Sequence, residues 1–76
     1  MIILIGRVAV GKEMKVAQDL AKLDEVSAVY LLTGEYDFLA EINIKDVEAG
    51  IDFVLDKVRK IGGITETRTM FTKKVK

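Results

Sequence analysis

Four short segments rich in β-branched and aliphatic residues alternate with two segments of helical periodicity along a chain of 76 residues. Their order (strand, helix, strand, strand, helix, strand) predicts an α+β domain on the ferredoxin-like βαββαβ plan, an antiparallel four-stranded sheet with both helices on one face. No linker, repeat or low-complexity stretch interrupts the pattern, so residues 1–76 are expected to form a single domain.

Residues 2–10, IILIGRVAV, favour a pleated, packed strand, and Gly11 ends it. From Lys12 to Leu23, the residues Met14, Ala17, Leu20 and Ala21 recur at the spacing of one helical face, with Val16 and Leu23 widening the stripe. Asp24-Glu25 then turns the chain into VSAVYLLT (26–33), which is followed after a short loop by FLAEINI (38–44), a hairpin of two strands. Asp46 suits an N-cap, and Val47, Ile51, Val54, Leu55, Val58 and Ile61 form the apolar stripe of a second helix. Lys57, Arg59 and Lys60 favour its C-terminal end before Gly62-Gly63. Phe53 falls off that stripe and is expected at the surface or packed at an edge. The final segment, ITETRTMFT (64–72), reads as a strand with Thr65, Thr67, Thr69 and Phe71 on one face.

Composition excludes several functions. Twelve Lys/Arg balance twelve Asp/Glu, so the basic excess typical of a nucleic-acid binder is missing and no direct nucleic-acid contact is expected. The chain has no cysteine and no histidine, which removes thiolate chemistry and the commonest metal ligand and general base. Neither a catalytic residue, a metal nor a cofactor is therefore expected. The apolar start, MIILI, stops at Gly6-Arg7, too short for a signal-peptide core or a membrane span, and a cytoplasmic protein is expected.

A domain this short buries only about 60% of the surface its unfolded chain exposes. In the third strand Phe38, Ala40, Ile42 and Ile44 would face the helices, which leaves Leu39 on the opposite side. Leu39 would be joined there by Ile3 and Ile5 (or Ile2 and Leu4) and by Val29 and Leu31 or their neighbours, with Phe71 from the last strand. An apolar patch of this kind usually marks an interface. Sheet-to-sheet dimerisation into an α+β barrel is expected, with about 800 Å² buried per partner.

Two phosphate motifs fail on inspection. Gly6-Arg7-Val8-Ala9-Val10-Gly11-Lys12 resembles a P-loop, but Glu13 stands where the magnesium-binding hydroxyl should be, and RVAV continues a strand. GRV before a helix is also similar to acylphosphatases, yet Arg7 lies in the strand and the second strand has no asparagine. The central strands likewise lack the aromatic pairs with which RNA-binding versions of the fold stack bases.

Two polar features remain. Tyr36 and Asp37 sit at the hairpin tip beside Gly34, and Thr67 and Thr69 lie two apart on the last strand, so their hydroxyls share a side. Each has an ordinary structural explanation in turn chemistry or β-propensity. Together with the order of elements, VYLLTGEYDFLAEINI and GGITETRTMFT resemble the effector-binding (RAM) domain of the Lrp/AsnC family of transcription regulators. The specific matches are Gly-x-Tyr-Asp, at Gly34, Tyr36 and Asp37, and Thr-x-Thr, at Thr67 and Thr69.

The resemblance implies a domain that dimerises through its sheets, forms rings, commonly octamers, and binds an amino acid between subunits near the turn. It implies a ligand-binding set of Gly34, Glu35, Tyr36, Asp37, Thr67 and Thr69. Backbone groups around Gly34 would meet the ligand carboxylate, Asp37 its ammonium group, and the threonines would supply hydroxyls. Full-length relatives carry an N-terminal winged helix-turn-helix, whereas this chain starts at the first strand, so no DNA-binding domain is expected and full-length regulators are expected partners. The expected function is a non-enzymatic amino-acid-binding module. The alternatives are a small dimeric α+β barrel enzyme and a purely structural assembly partner.

Overall fold

The computed structural model describes residues 1–76: strand β1 (Ile2–Val8), helix α1 (Glu13–Ala21), strands β2 (Val26–Leu31) and β3 (Phe38–Ile42), helix α2 (Val47–Asp56), a 3₁₀ turn (Val58–Lys60) and strand β4 (Ile64–Phe71). The strands form one antiparallel sheet in the order β2-β3-β1-β4, which gives the expected ferredoxin-like topology. Ile2 and Leu4 of β1 and Phe38, Ala40 and Ile42 of β3 turn to the helix side, where they close a core with Val16, Leu20, Phe53 and Val58. Asp46 caps α2 as expected, its Oδ2 accepting from the amide of Ala49 at 2.9 Å. No helix is long and apolar enough to cross a membrane.

Each helix keeps part of its expected face and turns the rest outward. In α1 the buried residues are Val16 and Leu20, with Leu23 packed beyond the helix end, while Met14 and Ala21 are exposed. The departure is larger in α2, where Val54, Val58 and Ile61 of the expected stripe pack into or against the core but the rest do not. Gly50, Phe53 and the following Val58 are buried, and Val47, Ile51 and Leu55 of the expected core stripe are about half exposed. Gly50 is the cause. A Cβ there would collide with Ile2 Cδ1 and stand 3.1 Å from Phe71 Cε1, so the missing side chain lets the helix backbone approach β1 and β4. Phe53, one turn on, is then carried into the core.

Paired residues of an antiparallel sheet share a face, so the registers assign the strand faces. Leu39 pairs with Ile5, and Ile3 with Glu41, on the side the helices leave open, as expected for Ile3, Ile5 and Leu39. Val29 and Leu31 are different. They pair with Ala40 and Phe38 and therefore turn to the helix side, and the open face takes Ala28 and Tyr30 instead. A bulge between Val26 and Ala28 shifts the alternation by one residue, which moves every later side chain of β2 to the other face. Phe71 also leaves the open face, because it pairs with Ile2 and approaches Gly50, and Met70 stands there in its place.

Candidate functional site

The β2–β3 connection runs from residue 32 to residue 37, two residues longer than the short loop expected over 34–37, since β2 ends at Leu31. Gly34, at φ +119°, adopts backbone that an L side chain rarely takes, which explains the glycine. Asp37 is anchored at both ends of its residue. Its amide donates to the Gly6 carbonyl at 2.8 Å, and its Oδ2 accepts from the Val8 amide at 2.8 Å. The carboxylate thus satisfies a strand-end donor beside the register shift of β1 and β4, and fastens the turn across the end of β1.

Arg7 organises the rest of the turn. Its guanidinium lies 5.3 Å from the centre of the Tyr36 ring and 3.0 Å from Glu35 Oε1. Glu66 stands 3.6 Å from Arg7 and 3.6 Å from Arg68, so a charged chain, Glu35, Arg7, Glu66 and Arg68, runs along one margin of the open face. Ile3, Ile5, Leu39, Ala28, Tyr30 and Met70 lie inside that margin. Beside them, the Glu41 carboxylate raises the pKa of the Tyr30 phenol above its ordinary 10.0. Apart from Glu41, which stands between Ile3 and Ala28, the open face therefore has an apolar middle, and its edge is charged, as in many protein interfaces.

Thr67 and Thr69 lie elsewhere. They pair with Gly6 and Leu4, which turns them to the helix side and into a groove of about 230 Å³ between α2 and β4. Ile51, Val54, Leu55 and Phe71 form the apolar wall of the groove. Arg59, on the 3₁₀ turn, is its one charged group. A second hollow of about 430 Å³ adjoins it, sharing Arg59 and Thr67 and adding Ile64, Thr65 and Glu66. None of Gly34, Glu35, Tyr36 and Asp37 lines either cavity. A single chain therefore presents the two halves of the expected site in two places. No group of three His, Cys, Asp or Glu side chains is arranged to hold a metal ion.

Sequence reasoning passed over Arg59, taking it as a helix-end charge, and over the outward apolar residues of α2, taking them as core. The available signal was Gly50, which interrupts the apolar pattern of α2 and marks where the helix can press closest to the sheet.

The family model of the Lrp/AsnC ligand binding domain matches residues 7–76. The chain is 39% identical over 72 residues to the HTH-type transcriptional regulator FL11 of Pyrococcus furiosus, a match covering 95% of this chain and 47% of the regulator. It is 35% identical over 66 residues to an uncharacterized HTH-type transcriptional regulator of Pyrococcus abyssi, covering 87% of this chain and 42% of that protein. The chain thus spans less than half the length of these curated relatives. Among solved structures, TTHA0845 of Thermus thermophilus superposes with a TM-score of 0.89 at 27% identity, covering 99% of this chain and 94% of that one. The transcriptional regulator NMB0573 of Neisseria meningitidis, solved as a complex with L-Met, gives 0.83 at 25% identity, covering 97% of this chain and 49% of that one.

Proposed function

The chain belongs to the Lrp/AsnC ligand-binding domain family, and on that premise we propose that it is a non-enzymatic, cytoplasmic amino-acid-sensing module. It dimerises through the open face of its sheet, assembles further into an octamer or similar ring, and acts on full-length regulators of the family. The observation that carries this reading is the separation of Gly34–Asp37 from Thr67 and Thr69. The turn is fastened over the end of β1, while the threonines line a groove that the turn of the same chain does not reach. A site made from both needs a second copy, whose turn would close the groove of the first. In the closed site, backbone groups around Gly34 meet the effector carboxylate, Asp37 Oδ1 faces the ammonium group, and Thr67 and Thr69 supply hydroxyls. Glu35 and Tyr36 form the rest of the wall. The L-Met complex of the Neisseria relative supports an amino acid as the effector class.

A thermal-shift screen of the twenty amino acids tests the reading, since a ligand that binds only the folded state raises Tm. At least one should do so, and Thr67→Val and Asp37→Ala should each reduce that rise. A flat response to all twenty would remove the sensing role. For the dimer, Leu39→Lys puts a charge into the middle of the open face on both partners and should weaken association about a thousandfold. Light scattering that still gives the wild-type mass would place the interface elsewhere.

A further inference from the structure

We propose that Arg59 is a carboxylate anchor of the groove between α2 and β4, and that the groove selects amino acids with an uncharged aliphatic side chain. The inference rests on the amino-acid-sensing reading and adds to it a residue and a ligand class.

The chain has three arginines. Arg7 and Arg68 both face acidic partners, Glu35 and Glu66 for the first and Glu66 for the second. Arg59 takes part in none of the five ion pairs, yet it lines both cavities, beside Thr67, which also lines both. A guanidinium presents a planar fork of donors that fits a carboxylate in a bidentate pair. A carboxylate has about four lone-pair sites, so Arg59 can share it with backbone amides brought by the turn of a second copy.

The walls decide the side chain. Ile51, Leu55 and Phe71 are 48%, 49% and 44% exposed, and an aliphatic side chain laid against them removes apolar surface from water on both molecules. No carboxylate lines this groove. Glu66, in the adjoining hollow, is already held between Arg7 and Arg68. A lysine effector would bring a second cation beside Arg59 with no carboxylate in the groove's own lining to balance it. An aspartate effector would bring a second carboxylate against an apolar wall, where its desolvation has no counterpart.

Isothermal titration of the wild-type chain with leucine, lysine and aspartate, repeated on Arg59→Gln, Arg59→Lys and Thr67→Val, tests this. Leucine should bind wild type about tenfold or more tightly than either charged amino acid. Arg59→Gln should weaken leucine about tenfold to a hundredfold, the usual loss for a charge-assisted pair, and Arg59→Lys should recover part of it by restoring the charge without the fork. If Thr67→Val reduces leucine binding but Arg59→Gln leaves it unchanged, the anchor is wrong while the sensing role stands. Tightest binding of lysine or aspartate would overturn the ligand class. If wild type binds no amino acid at all, the sensing role fails and takes the inference with it.

Discussion

The two helices cover neighbouring halves of one sheet but finish their surfaces differently. Helix α1 buries Val16 and Leu20 and shows solvent mostly polar residues, among them Glu13, Lys15 and Gln18. Helix α2 buries Gly50 and Phe53 and shows solvent Val47, Ile51 and Leu55, a line of aliphatic residues one helical turn apart. The first is the exterior of a folded domain. The second is an apolar strip that continues into Phe71 and the Thr67–Thr69 groove. A helix that keeps large aliphatic residues outside when its inner face is already filled points to contact with something beyond its own chain.

The largest effect should come from the inner faces, where the helices are expected to behave alike. Phe53→Ala removes a ring that is 5% exposed and should cost about 3–5 kcal/mol, and Leu20→Ala, fully buried, about 2–5 kcal/mol. Both are measured by denaturant titration. A loss below about 1 kcal/mol at Phe53 would mean that α2 presents its other face to the core in solution. Gly50→Ala comes next. Its added methyl meets Ile2 and Phe71 and should destabilise by about 1–3 kcal/mol through overpacking, although alanine is the better helix former. Stabilisation would show that α2 does not sit this close to β1.

How far the sequence could disclose these features follows from the same residues. Element order and the Asp46 cap were legible because they depend on local chemistry, and so was the Gly34 turn. The face of α2 was not. Its apolar residues outnumber what one face can bury, and the choice between Phe53 and Ile51 depends on a close approach at Gly50 that involves residues some 20 to 50 positions away. The faces of Val29 and Leu31 were lost to one bulge at the start of β2, an insertion that alternation cannot anticipate. For the candidate site, residue types pointed to the turn and to Thr67 and Thr69. Their separation, and the role of Arg59 beside them, depend on the faces assigned by the sheet register.

The outer faces should separate the helices by ligand response more than by stability. Ile51→Ser on α2 should change the stability of the ligand-free protein by no more than about 0.5 kcal/mol, as for most surface positions, while lowering the thermal shift given by a bound aliphatic amino acid. Gln18→Ser, on the exposed side of α1, should change neither. A loss well above that bound for Ile51→Ser would show that the apolar strip is already covered in the resting assembly.

The smallest effect expected is electrostatic, and it concerns how the C-terminal end of α2 is held. Lys57 Nζ donates to Glu25 Oε2 at 2.7 Å, tying that end of α2 to the residue before β2, two positions from Arg59. The Lys57 hydrogen bond, helped by a backbone amide, holds the Glu25 pKa below its ordinary 4.5, and Glu25 raises Lys57 above its ordinary 10.5. A depressed acid contributes stability that is present above 4.5 and lost as pH falls through its folded value. A raised base contributes stability that is present below 10.5 and lost as pH rises through its folded value. Glu25→Gln should therefore lower Tm slightly and evenly from about pH 5 to pH 10, with the gap to wild type closing on either side and shrinking in high salt, because the pair is exposed. A gap that persists unchanged at pH 3 would mean that Glu25 acts through packing instead, a possibility its shielded Oε1 makes specific. In that case the end of α2 that carries Arg59 towards the groove is held by contact rather than by charge.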